Sequence, residues 1–443
     1  MSSLCSHPET NLKMIAFSIP GLSIFGALVI ESASAAVAST FTAPAAAPTD
    51  QSPFYVGASN GTITNSPLVA GKVFDRFIQI WLENTNFAAA ASQAVFQNLS
   101  TQGITLTEYY GVTHTSEPNY LAAGGGDFWG LYDDDFEAVP NNISTIVDLL
   151  DQKAISWSAY QENMPYDGYE GYNYTNQDDG YTYYVRKHNP LIIYDSVSQN
   201  TTRSARIRNF NDFAVDLGNN TISQWVFVTP NLRNDGHDTT VAFAAEWLNY
   251  WLVPLLEDPN FNTDRTLILL TFDENETYTI NNQVYAILLG GAIPTTLRNT
   301  TDSTFYTHYS TLTTVEANWD LGNLGRQDTN KTVSNVFSFV ASDTGYTNNN
   351  ISGSAIPLLN LTTTIPGPLN PEYYVPYLAP TNGTGGGSGP TFFASNVNMS
   401  LNAADAPAPV NLTAAGTSGS SEVRVGLGLL GTATIGAVIM ALL

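Results

Sequence analysis

The sequence predicts an α/β fold, a mostly parallel sheet with helices on both faces. Short apolar runs recur at residues 77–82, 104–110, 155–160, 225–228, 266–270 and 284–289. Runs of this length and composition read as strands buried on both faces. Helical periodicity lies between them, and that alternation produces parallel sheets. Two of the runs also end on polar pairs, Glu83-Asn84 and Asp273-Glu274. Open α/β sheets bind ligands outside the carboxyl ends of their strands.

The clearest helix opens at Asp238, a good N-cap. Val241, Ala244, Ala245, Leu248, Trp251, Leu252 and Leu255 then recur at helical spacing. A second helix spans 307–319, with Tyr309, Leu312 and Val315 on one face. Residues 166–184 are rich in Tyr, Gly, Asn and Asp without periodicity and read as an ordered loop or lid.

The 443 residues are 43% hydrophobic and 12% charged, with a net charge of -24. This suffices for a large core, and such acidity excludes electrostatic binding of nucleic acid. Residues 1–38 have the layout of a signal peptide: Lys13 precedes an apolar run, and Ala33-Ser34-Ala35 or Ala36-Val37-Ala38 offers a small-residue cleavage site. The single cysteine, Cys5, falls in that leader, so no disulfide is expected in the mature chain. Asn-x-Ser/Thr sequons recur from Asn60 to Asn411 and point to N-glycans on a secreted surface. The sequon at Asn275 abuts the acidic pair and is expected to be glycosylated less readily.

Residues 39–72 read as a linker, 73–379 as the catalytic domain and 380–424 as a stalk rich in Gly, Ser, Thr and Pro, with 383–389 a flexible run. Residues 425–443 are uncharged and apolar, the pattern of a glycosylphosphatidylinositol-anchor signal. A retained transmembrane helix is the alternative. The expected location is extracellular, with the membrane reached only through the anchor.

Five clusters carry the chemistry. Asp273 and Glu274 follow the run 266–270 after Thr271-Phe272, and two adjacent acids at a buried strand end either repel each other or share a divalent cation. Glu83 and Asn84 close the first run. Ser116 lies two residues before Pro118, which suits the first turn of a helix, where backbone N–H groups hold anions; a plain N-cap is the competing reading. In Asn234-Asp235-Gly236-His237-Asp238 the Asp-Gly pair is either a tight turn or part of an acid-flanked histidine for ligation or proton transfer. His308 opens a helix. Of the five histidines, His114, His237 and His308 fall in these clusters, while His188 sits in the basic patch Arg186-Lys187-His188.

The order Leu82-Glu83-Asn84, His114-x-Ser116-x-Pro118-Asn119-Tyr120, Asn234-Asp235-Gly236-His237-Asp238, Thr271-Phe272-Asp273-Glu274 and Thr307-His308-Tyr309-Ser310 resembles the phosphoesterase family, which holds phospholipases C and acid phosphatases within the alkaline-phosphatase-like superfamily. The fungal secreted acid phosphatases are the nearest branch. Thr115 stands where many relatives have Pro. The resemblance implies an alkaline-phosphatase-like fold and one divalent metal ion held by Glu83, Asn84, Ser116, Asp273 and Glu274. It makes Ser116 a metal-activated nucleophile that forms phosphoserine. His114, His237 and His308 would hold phosphate oxygens or move protons, with Asp235 or Asp238 orienting His237. The implied function is a secreted acid phosphatase on small phosphate monoesters. A phospholipase C or other phosphodiesterase is the second reading, and a non-catalytic cell-wall glycoprotein the third. At acidic pH a protonated histidine is expected to serve the leaving oxygen.

Overall fold

A computed structural model describes residues 40–61, 63–357 and 364–413. The expected leader, the apolar tail and Asn360 lie outside the described residues. Among the described residues the strands are β1 (Arg76–Leu82), β2 (Ile104–Leu106), β3 (Tyr109–Tyr110), β4 (Trp157–Gln161), β5 (Asn173–Thr175), β6 (Thr182–Val185), β7 (Ile207–Asn209), β8 (Trp225–Thr229), β9 (Thr266–Phe272), β10 (Ala286–Leu289), β11 (Thr300–Asp302) and β12 (Tyr306–Thr307). Eight of them form one sheet in the order β11-β2-β10-β9-β1-β8-β4-β7. Only β10 runs antiparallel to its neighbours, β9 and β2. The expected mostly parallel α/β sheet is therefore the one found.

Every residue of β9 is buried, as is every residue of β8 and β4. Successive side chains of a strand point to opposite faces, so both faces of the sheet centre are covered. That coverage explains why the runs are continuously apolar and not alternating. The helix Val241–Leu256 supplies part of the cover: Trp247 and Trp251 stack with centroids 5.1 Å apart, and Trp251 meets Phe210, Phe213 and Phe261. Its N-cap is Thr240, whose hydroxyl accepts from Phe243 N at 3.2 Å, and not the expected Asp238.

Several boundaries differ from the sequence reading, each for a local reason. The run 104–110 divides into β2 and β3, because β3 leaves the main sheet to pair with β12. The polar stretch 166–184 contains the hairpin formed by β5 and β6, built from Tyr and Thr, which suit strands. Residues 50–60 do not hang as a linker. Ser52 N donates to Asn211 Oδ1 at 2.7 Å, Asn211 Nδ2 donates to Gly57 O at 2.6 Å, and Tyr55 is buried against Phe210.

The glycine run 383–389 is likewise packed, not flexible. Gly386 N donates to Glu316 Oε2 at 2.8 Å, and Ser388 N donates to Asp320 Oδ1 at 3.0 Å. A Cβ on Gly386 would lie 1.8 Å from Thr313 O, so here glycine serves close backbone approach. Among the described residues no helix is long and apolar enough to cross a membrane.

The helix Tyr309–Trp319 is tied to the entrance of β1 through Asn318. Its Oδ1 accepts from Val73 N at 2.8 Å and Phe74 N at 3.0 Å, and its Nδ2 donates to Phe74 O at 2.8 Å. Asn318→Ala leaves those buried groups unpaired and should lower stability by about 2–4 kcal/mol. Denaturant unfolding checks this; an unchanged midpoint would show that water satisfies the freed groups.

Candidate functional site

β1 lies between β8 and β9 at the centre of the sheet. Leu82 sits opposite Phe272 in the parallel register, so Glu83 and Asp273 emerge side by side. Backbone pairing continues beyond the strands. Asp273 N donates to Leu82 O at 3.0 Å, Glu83 N donates to Asp235 O at 3.0 Å, and Thr85 N donates to Glu274 O at 3.2 Å. The ends of β1 and β9 and the loop after β8 thereby deliver Glu83, Asp235, Asp273 and Glu274 to one place, all buried. Asn84 adopts φ 43, a left-handed conformation that asparagine tolerates.

Ser116 is the first residue of the helix Ser116–Gly125. Its Oγ lies 3.2 Å from Glu83 Oε2 and 3.3 Å from Glu274 Oε1. It has one proton to donate, so one carboxylate accepts it at a time. The side chain of Thr115, the residue before, makes no capping bond. Asp134 serves the helix start in its place, accepting from the Thr115 hydroxyl at 2.7 Å and from Glu117 N at 3.1 Å. An acid there is favourably placed against the helix dipole.

Burial raises the carboxyl groups of Glu83, Asp235, Asp273 and Glu274 above their ordinary range, and proximity adds to this. Asp273 and Asp235 push Glu83 up further, and Asp273 does the same to Glu274. Three oxygen atoms at this centre are sealed from solvent without a hydrogen-bond partner, Asn84 Oδ1, Asp235 Oδ2 and Asp273 Oδ2. Crowded acids with orphaned oxygen acceptors fit a hard divalent cation, which takes oxygen ligands. Glu83, Ser116 and Glu274 lie in contact, and Asp273 is tied to Asn84 through the Asn84 N–H at 3.1 Å, so acids and an amide suited to such an ion stand at this sheet edge.

The histidines divide. His114 Nδ1 makes a very short contact with Glu274 Oε2, its ring stacks on Tyr278 at 4.0 Å, and its Nε2 is sealed without a partner. Burial lowers its pKa to about 4. His308 Nε2 donates to Asp273 O at 2.5 Å, its Nδ1 lies 3.3 Å from Tyr109 OH, and its ring packs on Trp81 at 4.1 Å. Burial lowers its pKa to about 3. Burial favours the uncharged ring of both, because neither recovers in the interior the hydration that its charge would need. Both nitrogens of His308 are engaged with protein atoms, so it braces the Asp273 backbone. His237 is partly exposed, and its Nδ1 lies 2.7 Å from Asp238 Oδ1. Asp238 thus orients it. Asp235 accepts only its backbone N–H, at 2.8 Å, across the turn at Gly236, whose φ of +100° favours glycine.

Two residues of the basic patch belong to the site although the sequence reading set them aside. His188 is buried, with Nε2 3.5 Å from Glu83 Oε1 and Nδ1 3.7 Å from Asp235 Oδ2, and it stacks on Tyr120. The Tyr120 hydroxyl in turn donates to Glu83 Oε1 in a short bond. Glu83, His188 and Asp235 each offer one ligand atom within 4.8 Å of the others, so a cation could also lie there. Lys187 Nζ is 2.8 Å from Asp134 Oδ2 and 3.5 Å from His237 Nε2. A cavity of about 130 Å³ opens beside His114 and Thr115, lined by Phe128, Leu131, Tyr278 and Ile365 among others.

The model of the phosphoesterase family matches residues 65–322, a span that includes the acid cluster, Ser116 and all four histidines of the site. An acid phosphatase of Aspergillus fumigatus is 49% identical over 309 residues, covering 70% of this chain and 68% of that protein. A probable acid phosphatase of Kluyveromyces lactis is 55% identical over 280 residues, covering 63% of this chain and 66% of that protein. A solved structure of an alkaline phosphatase superfamily protein from Vibrio parahaemolyticus shows a loose likeness, with 11% identity and a TM-score of 0.36 over 60% of this chain and 70% of that one.

Glu117, beside Ser116, is buried with both carboxyl oxygens unpartnered, and burial raises its pKa from 4.5 to about 9. The folded state therefore holds a proton that the unfolded chain releases. The stability this confers is complete below about pH 4.5 and is lost as pH rises towards 9, by up to about 1.4 kcal/mol per pH unit. Glu117→Gln should remove that slope, so the cation-loaded variant should gain on the wild type between pH 5 and pH 9 in denaturant unfolding. A constant difference across that range would contradict this.

Proposed function

Because the chain belongs to the phosphoesterase family, we propose that it hydrolyses phosphate monoesters with Ser116 as a covalent nucleophile. The family match and the fungal relatives named acid phosphatase support an acid phosphatase. One observation carries the mechanism: a buried serine hydroxyl at a helix start lies within reach of two carboxylates from different strands.

The chain's own groups divide the work. Glu83 Oε2 and Glu274 Oε1 are acceptors for the Ser116 proton. The start of the Ser116–Gly125 helix favours a phosphate anion. Glu83, Asn84, Ser116, Asp273 and Glu274 would hold one divalent ion, which when bound neutralises phosphoryl charge and lowers the pKa of a coordinated hydroxyl. His237, held through Nδ1 by Asp238 and partly open to solvent, donates a proton to the departing alcohol oxygen. Attack by Ser116 Oγ forms the O–P bond as the ester O–P bond breaks. Water then displaces Ser116, with His237 as base. His114 and His308, neutral and enclosed, fix Glu274 and the Asp273 backbone.

Secretion, N-glycans and a lipid anchor belong to this reading on sequence features alone. Asn275 is buried, and its Nδ2 donates to Asn86 Oδ1 and Thr277 O, so the folded protein presents no glycan acceptor there.

Acid quenching during turnover of p-nitrophenyl phosphate should trap phosphate on the peptide containing Ser116. Ser116→Ala should lose about three or more orders of magnitude in kcat/KM. Inversion of configuration at a chiral phosphorus, or substantial turnover by Ser116→Ala, would overturn the nucleophile assignment.

A further inference from the structure

We propose that Lys187 is a substrate-binding residue that selects dianionic phosphate monoesters, by donating a hydrogen bond to a non-bridging phosphate oxygen. The inference rests on the monoesterase reading above and names what makes the site prefer that substrate.

Lys187 lies in the turn Arg186–His188 that follows β6. Its ammonium is fixed by Asp134 Oδ2 at 2.8 Å and lies 3.5 Å from His237 Nε2. An ammonium carries three N–H donors. One is taken by Asp134, and because His237 Nε2 carries its own proton in the reading above, the others have no acceptor among the described residues. The side chain is 16% exposed, so it is held but not sealed. Asp134 also binds the Thr115 hydroxyl and Glu117 N, the residues on either side of Ser116. The ammonium is thereby anchored over the start of the helix that presents the nucleophile. The next residue, His188, touches Glu83 and Asp235, so this short turn runs along the acid cluster. The Lys187 charge also lowers the pKa of Glu83, Glu274 and Asp238, which supports its facing the site.

A placed cation answers a definite electrostatic need. The chain carries a net charge of -24, and the site gathers four buried carboxyl groups. A phosphate dianion is repelled by such surroundings more strongly than a monoanion. Asp134 neutralises part of the Lys187 charge but leaves a donor in a site of low dielectric, where a charge-assisted hydrogen bond counts most. A monoester offers this donor a charged oxygen. A diester must present either a monoanion or its second ester group.

The test uses full-length, cation-loaded enzyme and the variants Lys187→Gln, Lys187→Met and Lys187→Arg. At about pH 8, above the second pKa of phosphate, inorganic phosphate is the dianionic probe, methyl p-nitrophenyl phosphate the monoanionic competitor, and p-nitrophenyl phosphate the substrate. Lys187→Gln should raise the inhibition constant of inorganic phosphate and lower kcat/KM for the monoester, each by about 10- to 100-fold, the size of one charge-assisted hydrogen bond. The inhibition constant of the diester should stay unchanged, and Lys187→Arg should recover most of the phosphate affinity. Equal weakening of phosphate and diester, or no effect on either, would overturn the proposal and leave Lys187 as a brace for Asp134. Failure of both truncations to fold would do the same. A wild-type enzyme that turns over no monoester would instead remove the underlying reading.

Discussion

The site depends on a repulsion. Glu83, Asp235, Asp273 and Glu274 are delivered by the ends of β1 and β9 and the loop after β8 into one buried volume, where burial raises the proton affinity of all four and Asp273 adds to the rise at Glu83, Asp235 and Glu274. Such a cluster is stable only with protons or with a cation. The central strands make it unavoidable. Their continuous apolar runs hold β1 between β8 and β9, and the register that pairs Leu82 with Phe272 fixes where the acids emerge. The stability of the sheet holds a strained electrostatic arrangement in place, a common arrangement at catalytic sites.

The surrounding groups either restrain these acids or act beside them. Tyr120 and His188 fix Glu83, His114 fixes Glu274, and His308 fixes the Asp273 backbone. Burial keeps His114 and His308 neutral in mild acid, so they orient without adding charge. The more accessible side, with His237, Asp238 and Lys187, carries the groups suited to meet substrate. A buried histidine that braces a neighbour and a partly open one are different uses of the same residue type.

Much of this was legible in the sequence, because parallel strands announce themselves by continuous hydrophobicity and the acids stand at their ends. Glu83 and Asp273 could be found that way, and Ser116 by the proline that marks a helix start. Lys187 and His188 could not: their turn follows a hairpin, with no strand of the main sheet to mark it. A basic pair in a chain with 15 Lys and Arg against 39 Asp and Glu was the one available signal. Spacing shows proximity in the chain but not burial, so the enclosure of His114 and His308 was not legible there. The glycine run 383–389 misled in the opposite direction. Composition suggested freedom, whereas the packed structure uses the missing Cβ to bring backbone against Thr313.

The central claim is that a divalent ion resolves the repulsion among these acids, and its direct test is thermal unfolding with and without chelator from pH 4 to pH 8, with metal content determined on the same samples. Without the ion the raised carboxyl groups must keep protons, so the stability they allow falls as pH rises through their folded-state values. The ion competes with those protons and gains as they leave. The account predicts bound divalent metal in the untreated protein, and a difference in Tm between loaded and chelated protein that widens steadily with pH. A protein free of metal as isolated, or a difference that does not change with pH, would contradict it.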